Sequence, residues 1–287
     1  MCSKKLIAAS AATLMLFGVS QARAADLFEE PAMPDLSVVM SLYGGGAILD
    51  SEDGQFDAKG YMLFGGDARV AGESWQAEIV GGVIGDTDTN SSEEGSNYFA
   101  LAGHWMSRGP DSTIGIFGGF TGNGHQDSND TSYHGFGGLE YAGFNGNSTF
   151  FGQIGGIAAI GGETTSTWES GVFGRGGWRY FFTENSKVEI DGMVGWGYFD
   201  SSDDGVTGAW GVEYENQFSY PFSAFVSYRG HYVEDSTNCC NDFPDAMSHA
   251  FLVGLRIDVN RMTLLARDRT GAGTFNIPDF HRAVSWP

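Results

Sequence analysis

The sequence predicts an all-β protein, an antiparallel up-and-down transmembrane β-barrel of about 12 strands. Three observations carry this expectation. Apolar residues recur with period two along most of the chain, the mark of strands with one apolar face. The segments showing that pattern run to about 10–14 residues, longer than the usual soluble strand of about five or six and close to the 9–11 of a tilted membrane-crossing strand. The connections between them alternate, short then long, without a break.

Taken in chain order, the first element is a targeting segment. Lys4 and Lys5 precede an apolar run from Leu6 to Val19, and Ala22-Arg23-Ala24 supplies small residues at the two positions a signal peptidase reads. The run is short of the roughly 20 residues needed to span a bilayer as a helix, so 1–24 reads as a signal peptide cleaved after Ala24. Residues 25–36 then form an N-terminal periplasmic lead. Cleavage removes three bases and no acids from a chain of 36 Asp and Glu against 15 Lys and Arg with net charge −21. A phosphate backbone would be repelled by such a surface, so nucleic acid is excluded as a partner. Glycine is abundant, 44 of 287 residues, but an aromatic content of 14% excludes a solvated low-complexity polymer.

The barrel is expected over 37–259. Its strands fall at 37–48, 60–70, 75–84, 96–106, 112–121, 132–142, 147–160, 168–180, 187–198, 207–216, 221–232 and 247–259. Short connections lie at 71–74, 107–111, 143–146, 181–186 and 217–220. Long ones lie at 49–59, 85–95, 122–131, 161–167, 199–206 and 233–246. Tight at one end and loose at the other is the pattern of a membrane barrel with short periplasmic turns and longer outer loops, and an even strand count puts both termini on the periplasmic side.

The faces agree with a lipid-embedded wall. In 187–198, Val188, Ile190, Val194, Trp196 and Tyr198 share one face, while Lys187, Glu189 and Asp191 share the other. In 168–180 the apolar set is Trp168, Val172, Trp178 and Tyr180, against Glu169, Arg175 and Arg179. In 247–259 Phe251, Val253, Leu255, Ile257 and Val259 oppose Arg256 and Asp258. A soluble sandwich would bury the charged face unpaired, which is costly.

With these features, residues 36–260 resemble a Gram-negative outer-membrane β-barrel protein of porin-like type, and Ala25-Asp26-Leu27-Phe28-Glu29-Glu30-Pro31 looks like the mature start of such proteins from α-proteobacteria. The resemblance implies residence in the outer membrane, in contact with its lipid and lipopolysaccharide. It also implies a last strand ending on an aromatic residue. Here the strand closes on Val259, and a tail, 260–287, follows as a periplasmic extension. The tail reads as disordered, with plugging of the lumen from below or contact with anionic lipid as alternatives.

Candidate chemistry lies in the lumen and the loops. The residues expected to line a pore are Asp67, Arg69, Glu78, His104, Glu169, Arg175, Arg179, Lys187, Glu189, Asp191, Glu213, Arg229, His231, Arg256 and Asp258. Opposed acids and bases on a pore wall create a transverse field that selects ions. The expectation is therefore a narrow porin-like channel for ions or small polar solutes. The other reading is a structural or surface-recognition barrel that works through its acidic loops.

Those loops carry Asp50, Glu52, Asp53 and Asp57; Asp86, Asp88, Glu93 and Glu94; Asp200, Asp203 and Asp204; and Glu234, Asp235, Asp242 and Asp245. Clustered carboxylates suit divalent cations, but Asp86-Thr87-Asp88-Thr89-Asn90 lacks the Gly and closing Glu of a calcium loop, so solvated loops are the plainer reading and no dedicated metal site is assigned. Cys239 and Cys240 are neighbours: a strained vicinal disulfide, intermolecular pairing and free thiols all remain open. No catalytic motif occurs, and His104, His125, His134, His231 and His249 are scattered, so neither an enzyme nor a cofactor is expected. No surface identifies an oligomeric state.

Overall fold

The computed structural model describes residues 35–51, 59–86, 95–125, 131–162, 169–200, 203–235 and 246–278. Residues 1–34, with the expected signal peptide, most of the long-loop residues, and Cys239 with Cys240 lie outside them. Twelve strands follow one another: β1 (Ser37–Ser51), β2 (Lys59–Ala71), β3 (Trp75–Asp86), β4 (Ser96–Arg108), β5 (Ser112–His125), β6 (Thr131–Asn145), β7 (Ser148–Gly162), β8 (Ser170–Thr183), β9 (Ser186–Asp200), β10 (Asp203–Ser219), β11 (Phe222–Asp235) and β12 (Ala246–Asp258). Each pairs antiparallel with its neighbours in sequence, and β12 pairs with β1 from Val39↔Asp258 to Ser51↔Ala246, so the sheet closes as an up-and-down barrel. Closure leaves no edge, which lets every strand satisfy its backbone in a medium without water.

Most strands run a few residues further toward the long-loop end than the apolar alternation suggests. Beyond the hydrocarbon layer a ladder needs backbone pairing but no apolar face, so the sequence pattern stops before the strand does. The clearest difference is at 199–206, expected as a long loop. There β9 continues to Asp200 and β10 starts at Asp203, with a register shift between Asp203 and Asp204.

The exterior is apolar. Leu42, Trp105, Phe251 and Ile160 are each exposed by 65–74%, and Val194, Val253, Leu255 and Ile154 stand out beside them. A water-soluble surface rarely shows such a continuous band. Aromatics gather at both ends of it: Trp75, Trp105, Phe182, Phe218 and Tyr220 by the short turns, and Tyr133, Trp196 and Tyr198 by the long loops. These are the two girdles of a membrane barrel. No helix among the described residues is long and apolar enough to cross a membrane; the strands do so.

Glycine is needed at Gly138, on the inner face of β6, where an added Cβ would lie 2.0 Å from the Ile154 carbonyl oxygen of β7. At outward-facing Gly103 the same atom would meet nothing within 4 Å. Gly138→Ala is therefore expected to cost about 1–3 kcal/mol, and Gly103→Ala little, read as guanidinium unfolding midpoints in detergent micelles. Equal midpoints for the two variants would contradict this.

The tail corrects the expectation of disorder. After Asn260 the chain turns back, with Arg261 at φ 59°, and forms α1 (Leu264–Thr270) across the short-turn mouth of the barrel. Thr263 caps the helix, its side chain accepting the Ala266 N–H at 3.1 Å. Leu264 and Ala266 are buried, and Phe275 and Ile277 are buried deeper along the tail. Four apolar side chains removed from water in this way offset the ordering of a segment that has no strand partner.

Candidate functional site in the barrel lumen

Inward-facing residues divide the lumen into two belts. The upper belt, toward the long loops, is apolar: Leu63, Val80, Phe117, Phe136, Phe173 and Leu252 pack in one cluster with small Ala47, Ala100 and Ala102. Phe117 of β5 reaches Phe173 of β8, ring centroids 6.2 Å apart, and the hydroxyls of Tyr43 on β1 and Tyr98 on β4 meet at 2.9 Å. This belt was not expected, because glycine and apolar residues on both faces blur the alternation there.

The lower belt is charged. A polar cavity of about 80 Å³, room for a handful of waters, is lined by Asp67, Arg69, Glu78, Arg175, Arg179, Lys187, Glu189, Glu213, Arg229 and Arg256 from the strands, with Arg267, Asp268 and Asn276 from the tail. Seven of the chain's 15 Lys and Arg side chains face this one cavity, against five of its 36 acids. The surplus of acids is thus carried elsewhere.

The charges form a connected network. Arg69 Nε lies 2.9 Å from Glu78 and 3.2 Å from Asp67. Asp191 bridges Arg175 at 3.0 Å and Arg229 at 2.6 Å. Arg179 pairs with Glu189 at 2.9 Å, and Lys187 reaches the same carboxylate at 3.1 Å. Arg256 donates to Glu213 at 2.7 Å and Glu215 at 2.5 Å while stacking on Phe225 at 4.1 Å. Buried charges tolerate such surroundings only when each is paired and hydrogen-bonded.

The tail completes this network. Arg267 donates to Glu215 at 2.7 Å, and Asp268 accepts from Arg179 at 2.7 Å and from Thr149 at 2.6 Å. Asn276 Oδ1 accepts from Arg69 at 2.8 Å, and the Ile277 N–H donates to Glu78 at 2.8 Å.

Of the sequence-predicted pore residues, those from Asp67 to Arg256 named above converge, and Asp191 joins them through its two arginines. His104 sits lower in the wall, its Nδ1 2.9 Å from Glu140, stacked at 6.2 Å on Phe275 of the tail. His231 faces inward near the long-loop end, its Nε2 3.0 Å from Thr207. Glu169 and Asp258 lie apart from the cavity. Glu169 precedes β8 at the long-loop rim, and Asp258 ends β12, where its carboxylate accepts the Asn260 N–H at 2.9 Å.

Sequence reasoning missed Glu140, Glu215, Gln76 and Gln153. Glu215 and Gln76 have the period-two parity of inward neighbours already chosen, Glu213 and Glu78, whereas Glu140 and Gln153 lie on β6 and β7, where no pore residue was expected. Following parity rather than charge contrast would have found the first two. Of the acidic loop side chains, Asp204 alone is among those described, half-buried and accepting from Trp196 Nε1 at 3.3 Å. No group of three metal-ligating side chains converges among the described residues.

The solved structure of an outer-membrane channel from Pseudomonas putida F1 superimposes with a TM-score of 0.59 at 11% identity, covering 82% of this chain and 99% of that one. A KdgM porin (TM-score 0.43, 11% identity, 76% and 98% covered) and the outer-membrane channel DcaP of Acinetobacter baumannii (0.42, 8%, 80% and 99%) are looser matches. The first shares the fold. No profile of a known protein family and no curated protein sequence matches the chain. The protein has the closed antiparallel architecture of a Gram-negative outer-membrane barrel.

Proposed function

We propose that this barrel is a narrow porin-like channel of the outer membrane for ions or small polar solutes, held closed here by its own C-terminal segment. It carries no catalytic role in this reading. The observation that supports it is the charged wall around the polar cavity. A barrel that only needed filling would be at least as stable with apolar residues in place of buried ion pairs, as its upper belt shows. Opposed charges on β2, β3, β8, β9, β10, β11 and β12 instead supply a field across a water-containing path. An α-proteobacterial source rests on the Ala25–Pro31 stretch alone, and contacts with lipopolysaccharide, bridged by divalent cations at the acidic loops, belong to the same reading.

The packed upper belt favours a second reading, a closed structural or surface-recognition barrel working through its loops: Leu63 and Ala100 are no more than 1% exposed. Planar-bilayer recording separates the two. The full-length protein is expected to open rarely, and a variant lacking residues 261–287 to conduct in steps at least several-fold more often. Absence of conductance from both, with folding confirmed by heat-modifiable gel migration, would remove the channel.

A further inference from the structure

The contacts that hold the tail differ in kind from those of an ordinary packed terminus. Lumenal side chains read its main chain. Arg108 Nη1 donates to the Arg269 carbonyl at 3.1 Å and its Nη2 to that of Gly271 at 3.2 Å. Arg179 donates to the carbonyls of Gly273 and Thr274 at 3.1 and 2.9 Å. Gln76 donates to that of Phe275 at 2.7 Å, and Gln153 and Arg175 to that of Asn276 at 3.1 and 3.4 Å. Glu78 accepts the Ile277 N–H at 2.8 Å.

Two side-chain pockets accompany this readout. Phe275 stacks on His104 beside Met106 and Phe151, and Ile277 enters the floor of the apolar belt. Gln76, 1% exposed, has its Oε1 without a hydrogen-bond partner among the described residues, an acceptor at the same place.

Main-chain hydrogen bonds combined with pockets for alternate side chains are how proteins bind extended peptides of varied sequence. We propose that the lumenal cleft occupied by residues 273–277 is a peptide-binding site, that short peptides with apolar side chains at the positions of Phe275 and Ile277 compete with the tail for it, and that such peptides are among the solutes of the channel. This deepens the channel reading and rests on it for transport, though not for binding. A charged side chain at the position of Phe275 or Ile277 would have to enter an apolar pocket, so peptides charged at those two positions are disfavoured.

The test uses the full chain in detergent and a fluorescent probe, Thr-Phe-Asn-Ile-Pro-amide with the fluorophore acylated onto its N-terminal amine, followed by polarisation. Ile277→Asp places a charge against the apolar belt and unseats the tail without touching the barrel wall. The probe is expected to bind this variant roughly tenfold or more tighter than the wild type, whose tethered segment competes at an effective concentration on the order of millimolar. Adding Gln76→Ala and Gln153→Ala to Ile277→Asp is expected to abolish the gain. A probe in which Phe and Ile are replaced by Asp is expected not to bind.

No binding to a folded Ile277→Asp protein, or binding that survives loss of both glutamines, overturns the proposal. Binding together with block of single-channel current by the peptide supports it in full. Binding with no current from any variant supports the site and removes transport, so failure of the channel and failure of the peptide site are read separately.

Discussion

Arg179→Ala is expected to lower the stability of the folded barrel by about 3–5 kcal/mol, the usual cost of removing one partner from a buried ion pair. The guanidinium is 1% exposed and meets five groups at once: the carboxylates of Glu189 and Asp268, the carbonyls of Gly273 and Thr274, and the ring of Phe151 at 4.3 Å. Without it Asp268 keeps Thr149, and Glu189 keeps Lys187, so neither acid is bare, but both are left with less than one full countercharge. The variant should also release the tail, because the anchor shared by α1 and residues 273–274 is gone. Two measurements check this: guanidinium unfolding in micelles by tryptophan fluorescence, and channel openings per unit time. Arg179→Lys keeps the charge but not the forked geometry and should fall between. A loss below about 1 kcal/mol would mean that water already screens this site, since exposed pairs are worth no more than that.

The exterior makes an equally large prediction of a different origin. Leu139 lies midway along β6, 56% exposed, between the outward-facing Ile116 of β5 and Ile154 of β7. In water Leu139→Arg would be close to neutral or favourable. In a bilayer an arginine at mid-depth on the lipid face costs about 2–4 kcal/mol. Refolding the two proteins into phosphatidylcholine vesicles and titrating with guanidinium measures the difference. A value near zero would place this face outside the hydrocarbon and overturn the membrane reading of the fold.

Strand pattern, loop alternation and the inward acids and bases were legible because each is local: a period of two, a turn signal, a charge opposite an apolar neighbour. Val194, Trp196 and Tyr198 on one face of β9, with Glu189 and Asp191 on the other, need nothing beyond fifteen residues to be read. The tail needs more. α1 has only seven residues and no apolar stripe, and its charges find partners 52 residues away at Glu215 and 89 away at Arg179. Those pairings exist only once the barrel has brought β8 and β10 to the same mouth, so no local rule exposes them. The apolar belt is hidden for another reason. Phe117 and Phe136 point inward on strands whose outward positions, Ile116 and Leu139, are also apolar, so the contrast that reports direction vanishes.

The groups that grip residues 267–277 come from β1, β2, β3, β4, β7, β8 and β10, seven of the twelve strands, and they stand at the right separations only after β12 has met β1. Docking of the last segment is therefore a report of finished assembly. A barrel in which β12 has not met β1 is therefore expected to leave residues 267–277 open to added protease, whereas the closed one protects them.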